Sequence, residues 1–594
     1  MIADADKGGA AETDHEPRSF IRRYVFSTDH KVIGIQYMMT GFVMALVAGG
    51  LAMFIRLQLA WPNAKWPMLA KIFPEGMSGG VMNPEFYLQL VTMHGTLMVF
   101  FVVSLILLGG FGNYLIPLQV GARDMAFPFL NMLSYWVIVP ACFIMLGSFF
   151  VQGGAAAAGW TSYPPLSALK EAVNGSAMGQ TLWLLGMALF IASFTMSGLN
   201  FVVTVLNLRA RGMSMMRLPA TVWSLFIAAA IGLLAFPPLT AAAIMLLFDR
   251  HLGTSFFLPS GMYFGKLITE HGGGTPLLWQ HLFWFLGHPE VYVLILPALG
   301  IAFDIIPAFT RKPIFGYRLV VYSMLTIAAL SMIVWGHHMY VSGMSPYVGE
   351  YFAIATLTIT IPSVVIGLSM IASLWGGAIR FTTPMLFALG QVTLFGTGGL
   401  GGLFLGNATS DIQLHDTYFV VGHFHLMIGG VTLFAIFAGT YYWFPKMFGR
   451  MLNERLGKLH FWLTLPAFYT IFLTQHFLGF GGMLRRYYAF NKFQYLGPIQ
   501  KWNVLVSIAT FVLGTAQLIF MFNFFWSLFK GKRAEANPWQ ATTLEWTAPS
   551  PPPHGNWGPQ RPIVHRWPYD YSTPGDSEDY TPQTVTPAAV PVTA

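Results

Sequence analysis

The chain has 594 residues, 55% hydrophobic and only 9% charged, against about 25% charged in an ordinary soluble domain, and this excludes a soluble protein. A formal charge of +8 does not point to nucleic acid, because the basic residues are scattered between apolar runs and form no single dense patch. Cys142 is the only cysteine, so there is no intrachain disulfide and no multi-cysteine metal centre.

The first 32 residues are polar and lack an apolar core followed by a small-residue cleavage site, so no cleavable signal is expected. Apolar runs of about 20 residues, enough to cross a bilayer as helix, then recur at 33–57, 87–119, 128–152, 177–207, 218–248, 277–307, 315–336, 350–376, 382–404, 418–445, 458–479 and 502–529. Short connections favour antiparallel neighbours. The expected fold is an all-α membrane protein, a single bundle of twelve transmembrane helices over 33–529. Basic residues cluster at Lys7/Arg18/Arg22/Arg23/Lys31, Arg209/Arg211/Arg217, Arg311/Lys312/Arg318, Lys446/Arg450/Arg455/Lys458 and Lys530/Lys532/Arg533. These fall on alternate loops, which the excess of positive charge on the cytoplasmic side places inside together with both termini. Residues 530–594 are Pro-rich and form no packed core alone, so they either follow the cytoplasmic face or stay disordered.

Ionisable residues inside the apolar runs are the informative ones, since burying them in lipid is unfavourable without a partner or a task. His94 has Gly95 beside it, leaving room for a large flat ligand, but a lone histidine is equally suited to bonding a neighbouring helix. In WFLGHPEVY, His288 and Tyr292 stand four apart on one helix face while Glu290 projects to the opposite side. His337 and His338 are adjacent, about 100° apart on an ideal helix, so both reach one metal only where the helix loosens. Gly336 and Gly343 make such an irregular end plausible. With His288 they make three imidazoles suited to copper or zinc. His423 and His425 lie roughly 200° apart around a helix and face opposite ways, so one helix can serve two metal groups; two unrelated polar packing residues are the alternative.

Together STDHKVIG, GNYLIP, GARDMAFP, GWTSYPPL, WFLGHPEVY, WGHHM, LHDTYFVVGHFH, QHFLGFGGMLRR and TTLEW resemble the haem-copper oxygen reductases over about residues 20 to 550, in particular the A-type subunit I chains of cytochrome c oxidases. The resemblance implies a catalyst that reduces dioxygen to water with proton pumping. His94 and His425 would be the axial ligands of a low-spin haem and His423 the ligand of a high-spin haem, both haems being haem A. His288, His337 and His338 would hold one copper, with Tyr292 bonded covalently to His288. Arg485, Arg486 and Trp160 match positions near the haem propionates, and Arg56 the one at the low-spin haem's edge. His415 and Asp416 match a magnesium or manganese site shared with another subunit. Asp124 would open a proton path through Asn113, Asn131 and Ser193 to Glu290.

Three positions depart from the family pattern. Ile366 stands where a second proton path has lysine, Phe303, followed by Asp304, replaces a serine, and Leu484 replaces a proline. Thr356, Thr360 and Ser363 share a helical spacing and could relay protons instead, or simply form a polar packing stripe. The implied partners are a subunit II carrying a dinuclear copper, a subunit III, membrane lipid and cytochrome c, with no nucleic acid, in a bacterial cytoplasmic membrane. A quinol donor is disfavoured by Ala60 and Phe86, although Gln89 is retained. A nitric oxide reductase of the same superfamily and a non-enzymatic ion transporter are the other readings; Tyr292 and Glu290 favour dioxygen.

Overall fold

Inside a bilayer an apolar run has no water to satisfy its peptide groups, so it folds as helix. The computed structural model describes residues 19–263, 273–573 and 578–587; Lys7, Arg18 and the last seven residues of the Pro-rich segment lie outside them. In chain order the long helices are α1 (His30–Ala60), α2 (Pro84–Val120), α3 (Pro128–Phe150), α4 (Met178–Asn207), α5 (Ala220–His251), α6 (Pro276–Thr310), α7 (Tyr317–Ser331), α8 (Pro346–Leu374), α9 (Thr383–Gly406), α10 (Tyr418–Phe448), α11 (Glu454–Phe480) and α12 (Gln494–Lys530).

Ten of these, all but α7 and α11, are long and apolar enough to cross a membrane among the described residues. The expected spans at 315–336 and 458–479 fall short by that measure. Helix α7 has only 15 residues, and α11 carries Gln475 and His476 within its apolar run. The chain leaves α7 at Ser331 and makes a separate 3-10 turn over Trp335–Met339, in which Gly336 sits against Phe352 with no room for a side chain. Helix α8 is two segments, Pro346–Thr358 and Thr360–Leu374. Pro362 has no N–H to offer the carbonyl four residues back, which accounts for the break.

Helix α6 is the most enclosed element: 89% of its apolar window is buried, against 28% for α8. Thr275 caps its first turn, Pro276 occupies the first position, and the helix continues through Pro289, Pro297 and Pro307. Helix α5 packs along it, and α9 and α10 flank it. Helices α2 and α10 contain π-helical stretches, Leu97–Val103 and Leu105–Gly112 in the first and His425–Val431 in the second, a widening often found at functional sites.

Beyond α12 the Pro-rich segment runs across one end of the bundle. Lys446 Nζ donates to the carbonyls of Ala536 and Ala548, Arg311 to those of Trp539 and Gln540, and Val564 N to Arg211 O. Basic loops that the sequence assigns to one side thus meet the same segment.

Candidate metal centre

Three imidazoles meet where α6 faces the Trp335–Met339 turn. The ligand nitrogens of His288, His337 and His338 all lie within 4.8 Å of one another. Leaving α7 early is what allows this, since consecutive residues of a regular helix would diverge. His288 Nδ1 lies 3.3 Å from His338 Nε2, and the His337 ring stands at 88° to that of His288, 4.5 Å between centres. His337 Nδ1 contacts Thr356 Oγ1 at 2.9 Å, which leaves its other nitrogen for a ligand. Trp284, one turn before His288, stacks on His338 at 3.8 Å and donates to the Tyr163 hydroxyl at 2.5 Å. His288 Nε2 is buried without a protein partner. Neutral nitrogen donors converging on one point, one of them unpartnered, fit a copper or zinc ion.

Tyr292 lies one turn further along α6, its ring centre 4.8 Å from that of His288. Glu290, 2% exposed, points to the other side, where Ser104 Oγ approaches Oε1 at 3.5 Å and Oε2 has no partner.

His94 and His425 face each other from α2 and α10. Their rings are within 10° of parallel, with centres 6.4 Å apart. A metal–imidazole bond of about 2.0–2.1 Å on each side, plus roughly 1.2 Å from nitrogen to ring centre, spans a little over 6 Å, so an iron atom fits between them. Each Nδ1 contacts a backbone carbonyl, Ala48 O at 2.9 Å and Val421 O at 2.9 Å. His423 turns instead to α9, where Nδ1 meets Gly398 O at 2.8 Å, and a Cβ at Gly401 would come within 2.9 Å of the ring. The opposite-face expectation for the pair therefore matches the geometry.

Near these rings Trp160 packs on Gly95 and edge-on against Trp284. Arg56 donates to Ser507 and Asn503 while its remaining terminal nitrogen stays unpartnered. Arg485 pairs with the Asp416 carboxylate. Burial pushes Asp416 up, but Arg485, Arg486 and His415 outweigh it and hold the carboxyl below its ordinary value. Burial and the neighbouring Arg485 lower Arg486 to about 10. His415 Nδ1 lies 3.0 Å from Asp411 Oδ2; sequence reading did not single out Asp411, though it sits one helical turn before His415.

Asp124 is half-buried in the loop between α2 and α3. Burial and the charge of Asp29 push its carboxyl up to about 7. Beyond it, both side-chain atoms of Asn131 and Oδ1 of Asn113 are buried without partners, the signature of internal water sites. Ser193 is joined to the Tyr37 hydroxyl at 3.2 Å, and Tyr37 donates to Ser134 at 3.0 Å. Tyr37 and Ser134 are not among the expected residues; the spacing of Ser193 and Ser197 along one face of α4, with Ser197 donating to Ser134 at 3.1 Å, was the signal for part of this set. Thr356, Thr360 and Ser363 are less united. Thr356 is tied to His337, the break at Ile359 separates it from the other two, and Ser363 donates back to Ile359 O at 2.8 Å.

The fold and site define a helical membrane protein with one three-imidazole cluster that could hold a metal ion and a second, facing pair of imidazoles. A family model described as cytochrome C and quinol oxidase polypeptide I matches residues 32–512. The chain is 50% identical over 589 residues to the alternative cytochrome c oxidase subunit 1 of Bradyrhizobium diazoefficiens, spanning 99% of this chain and 97% of that one. It is 42% identical over 548 residues to cytochrome c oxidase subunit 1 of Thermostichus vulcanus (92% of each chain), and 41% identical over 559 residues to that of Cereibacter sphaeroides (91% and 95%). A solved heme-copper terminal oxidase dimer shares the fold at 18% identity, with a TM-score of 0.65 over 85% of each chain. This chain belongs to the cytochrome c and quinol oxidase polypeptide I family, and is subunit I of a haem-copper oxidase, a membrane oxidoreductase of electron transport.

Proposed function

We propose that this subunit reduces dioxygen to water, translocates protons as it does so and takes its electrons from cytochrome c. The observation that carries the reading is the convergence of His288, His337 and His338 with Tyr292 one turn from His288. When bound, iron and copper supply electrons and the place where dioxygen is reduced. Tyr292 can add an electron and a proton from its phenol, which favours four-electron reduction without release of partly reduced oxygen.

The residues take the following roles. His288, His337 and His338 hold the copper. His94 and His425 hold the low-spin haem iron and His423 the high-spin one, the haems being haem A. Trp160, Arg485 and Arg486 fix the propionates, whose carboxylates suit a guanidinium fork, and Arg56 meets the edge substituent. His415 and Asp416 hold magnesium or manganese with a residue of another subunit. Protons enter at Asp124 and pass Asn131, Asn113 and Ser193 to Glu290.

The twelve helices form one membrane core between an N-terminal segment and a Pro-rich tail. Both ends face the cytoplasm of a bacterium, and the assembly includes subunit III and a subunit II bearing the dinuclear copper. Purified complex tests the reading: a visible spectrum with two haem signals, one copper per pair of haems, and oxygen consumption driven by reduced cytochrome c are expected. Colourless protein would point to an ion transporter, and faster consumption of nitric oxide than of oxygen to a nitric oxide reductase. Ser363→Val tests the Thr356/Thr360/Ser363 stripe. Because the Ser363 hydroxyl is already satisfied by its own helix, reduction of the copper–haem site should proceed at the unmodified rate, and a slowed reduction would restore the stripe as a proton route.

A further inference from the structure

Asp304 takes no part in the centre described above, yet it stands on the same helix as His288 and Tyr292. It lies twelve residues past Tyr292, about 18 Å along the axis at 1.5 Å per residue. The side chain is 2% exposed. Gln119 Nε2 donates at 3.1 Å to Asp304 Oδ2 and at 3.1 Å to Glu545 Oε1, so one amide bridges two buried carboxyls. The other donors are neutral as well: Tyr569 donates to Asp304, while Trp443 and Thr543 donate to Glu545 at 3.1 and 2.9 Å. The Lys446 ammonium acts on Glu545 through space but spends its hydrogen bonds on backbone carbonyls; two buried carboxyls sharing one amide and bonded only by neutral donors still do not both ionise readily, so the pair retains a proton. Burial pushes Glu545, which lies beyond the helices, above its ordinary value.

The node also has unused hydrogen-bonding capacity. Gln119 Oε1 and Glu545 Oε2 are buried without a protein partner, as expected where internal water sits. Polar atoms continue from it along α6. Ser224 on α5 lies against Gly300, where a Cβ would come within 2.1 Å of its hydroxyl. Gln391 on α9 donates to Ala298 O at 2.7 Å and keeps its own Oε1 unpartnered. Ala298 is six residues from Tyr292, about 9 Å along the helix. On α8, Ile366 is fully buried and apolar.

We propose that Asp304 and Glu545 form a proton-holding pair that supplies Tyr292 along α6 from the end of the bundle covered by the Pro-rich segment. The proposal rests on the reading of His288 and Tyr292 given above. In each transfer Tyr292 stands as phenolate, having given up its proton and regained its electron in the oxygen chemistry; a carboxylic O–H bond of the pair then breaks and, through intervening water, a phenolic O–H bond forms on Tyr292. A proton from the aqueous side then restores the pair, and no electron moves in the relay. The competing role for Asp304 is purely structural, anchoring the Pro-rich segment through Tyr569.

The test uses purified complex carrying Asp304→Asn, Asp304→Glu, Glu545→Gln or Arg311→Gln, the last loosening the Pro-rich segment without touching the pair, with three readouts: carboxyl C=O bands in redox-difference infrared spectra, anaerobic reduction of each haem followed separately, and protease cleavage of the Pro-rich segment. Asp304→Asn should abolish one carboxyl band and slow reduction of the haem beside the copper by about tenfold or more, leaving the other haem unaffected. Glu545→Gln should slow the same step, Asp304→Glu should restore it, and Arg311→Gln should speed cleavage without slowing either haem. Unslowed reduction in either Asp304→Asn or Glu545→Gln overturns the proposal, as does an equal slowing in Arg311→Gln. Should Asp304→Asn not assemble, Glu545→Gln decides alone. A complex without two haem signals would instead sink the underlying reading, and the pair's role with it.

Discussion

Replacing His338 by alanine is expected to give a complex that keeps both haem signals but loses its copper and nearly all oxygen consumption. The three imidazoles already converge, so the site is preorganised and each ring supplies one bond that the other two cannot replace. Removing Thr356, which only orients His337, sets the scale for comparison: loss of such a supporting partner typically weakens metal binding about 10- to 100-fold. His338→Ala should exceed the Thr356→Val effect clearly, and the indole of Trp284 that stacks on His338 cannot stand in as a ligand because it offers only an N–H. Metal analysis per haem and turnover with reduced cytochrome c make the comparison. Copper retained at full stoichiometry in His338→Ala would remove this residue from the ligand set.

The second large effect concerns proton entry. Asp124→Asn is expected to lower turnover by roughly 10²-fold or more, the usual contribution of a positioned proton carrier, and to abolish proton release from vesicles. With its carboxyl pushed up to about 7, Asp124 is mostly protonated below neutrality and can donate. As pH rises through about 7 it stands increasingly as carboxylate and must recapture protons from a more dilute supply, so turnover limited by this step declines. Asparagine has no such transition, and the residual activity of the variant should be flat across that range. Glu290→Gln should reproduce the loss from the inner end, since it preserves the shape beside Ser104 and removes the ionisable group. Normal turnover and proton release in Asp124→Asn would exclude this entry.

How much of this was legible in the sequence depends on the range of the forces involved. Local periodicity was enough to put His423 and His425 on opposite faces, and the structure has one ring meeting His94 and the other α9. Proximity of Gly336 to His337 and His338 suggested a loosened helix end, but not that α7 would stop at Ser331 or that Phe352, from another element, would pack where a side chain at Gly336 would lie. The weakness of α11 as a span was hidden by its length, since Gln475 and His476 sit inside an otherwise apolar run. Least legible was the Pro-rich segment. Its composition says that it has no core of its own, and it says nothing of partners hundreds of residues away. Glu545 and Asp304 look unrelated in sequence, and only Gln119, from a third place in the chain, brings them together. Roles carried over from the family pattern needed no such geometry, whereas Tyr37, Ser134 and Asp411 became visible only through their neighbours.

The contact between Asn556 and the start of α1 bears on how the chain folds. Asn556 bonds His30 at 3.0 Å and Lys31 at 2.9 Å, and His554 reaches Asp29 at 3.1 Å, so a segment 526 residues further along the chain closes over the start of α1. Contacts of such long sequence separation form late and slowly. Until that segment has docked, His30 and Lys31 keep only their bonds to Asn113 O and Asp29 and lack the Asn556 amide that covers them. The clasp thereby ties docking of the Pro-rich segment to closure of the bundle at α1.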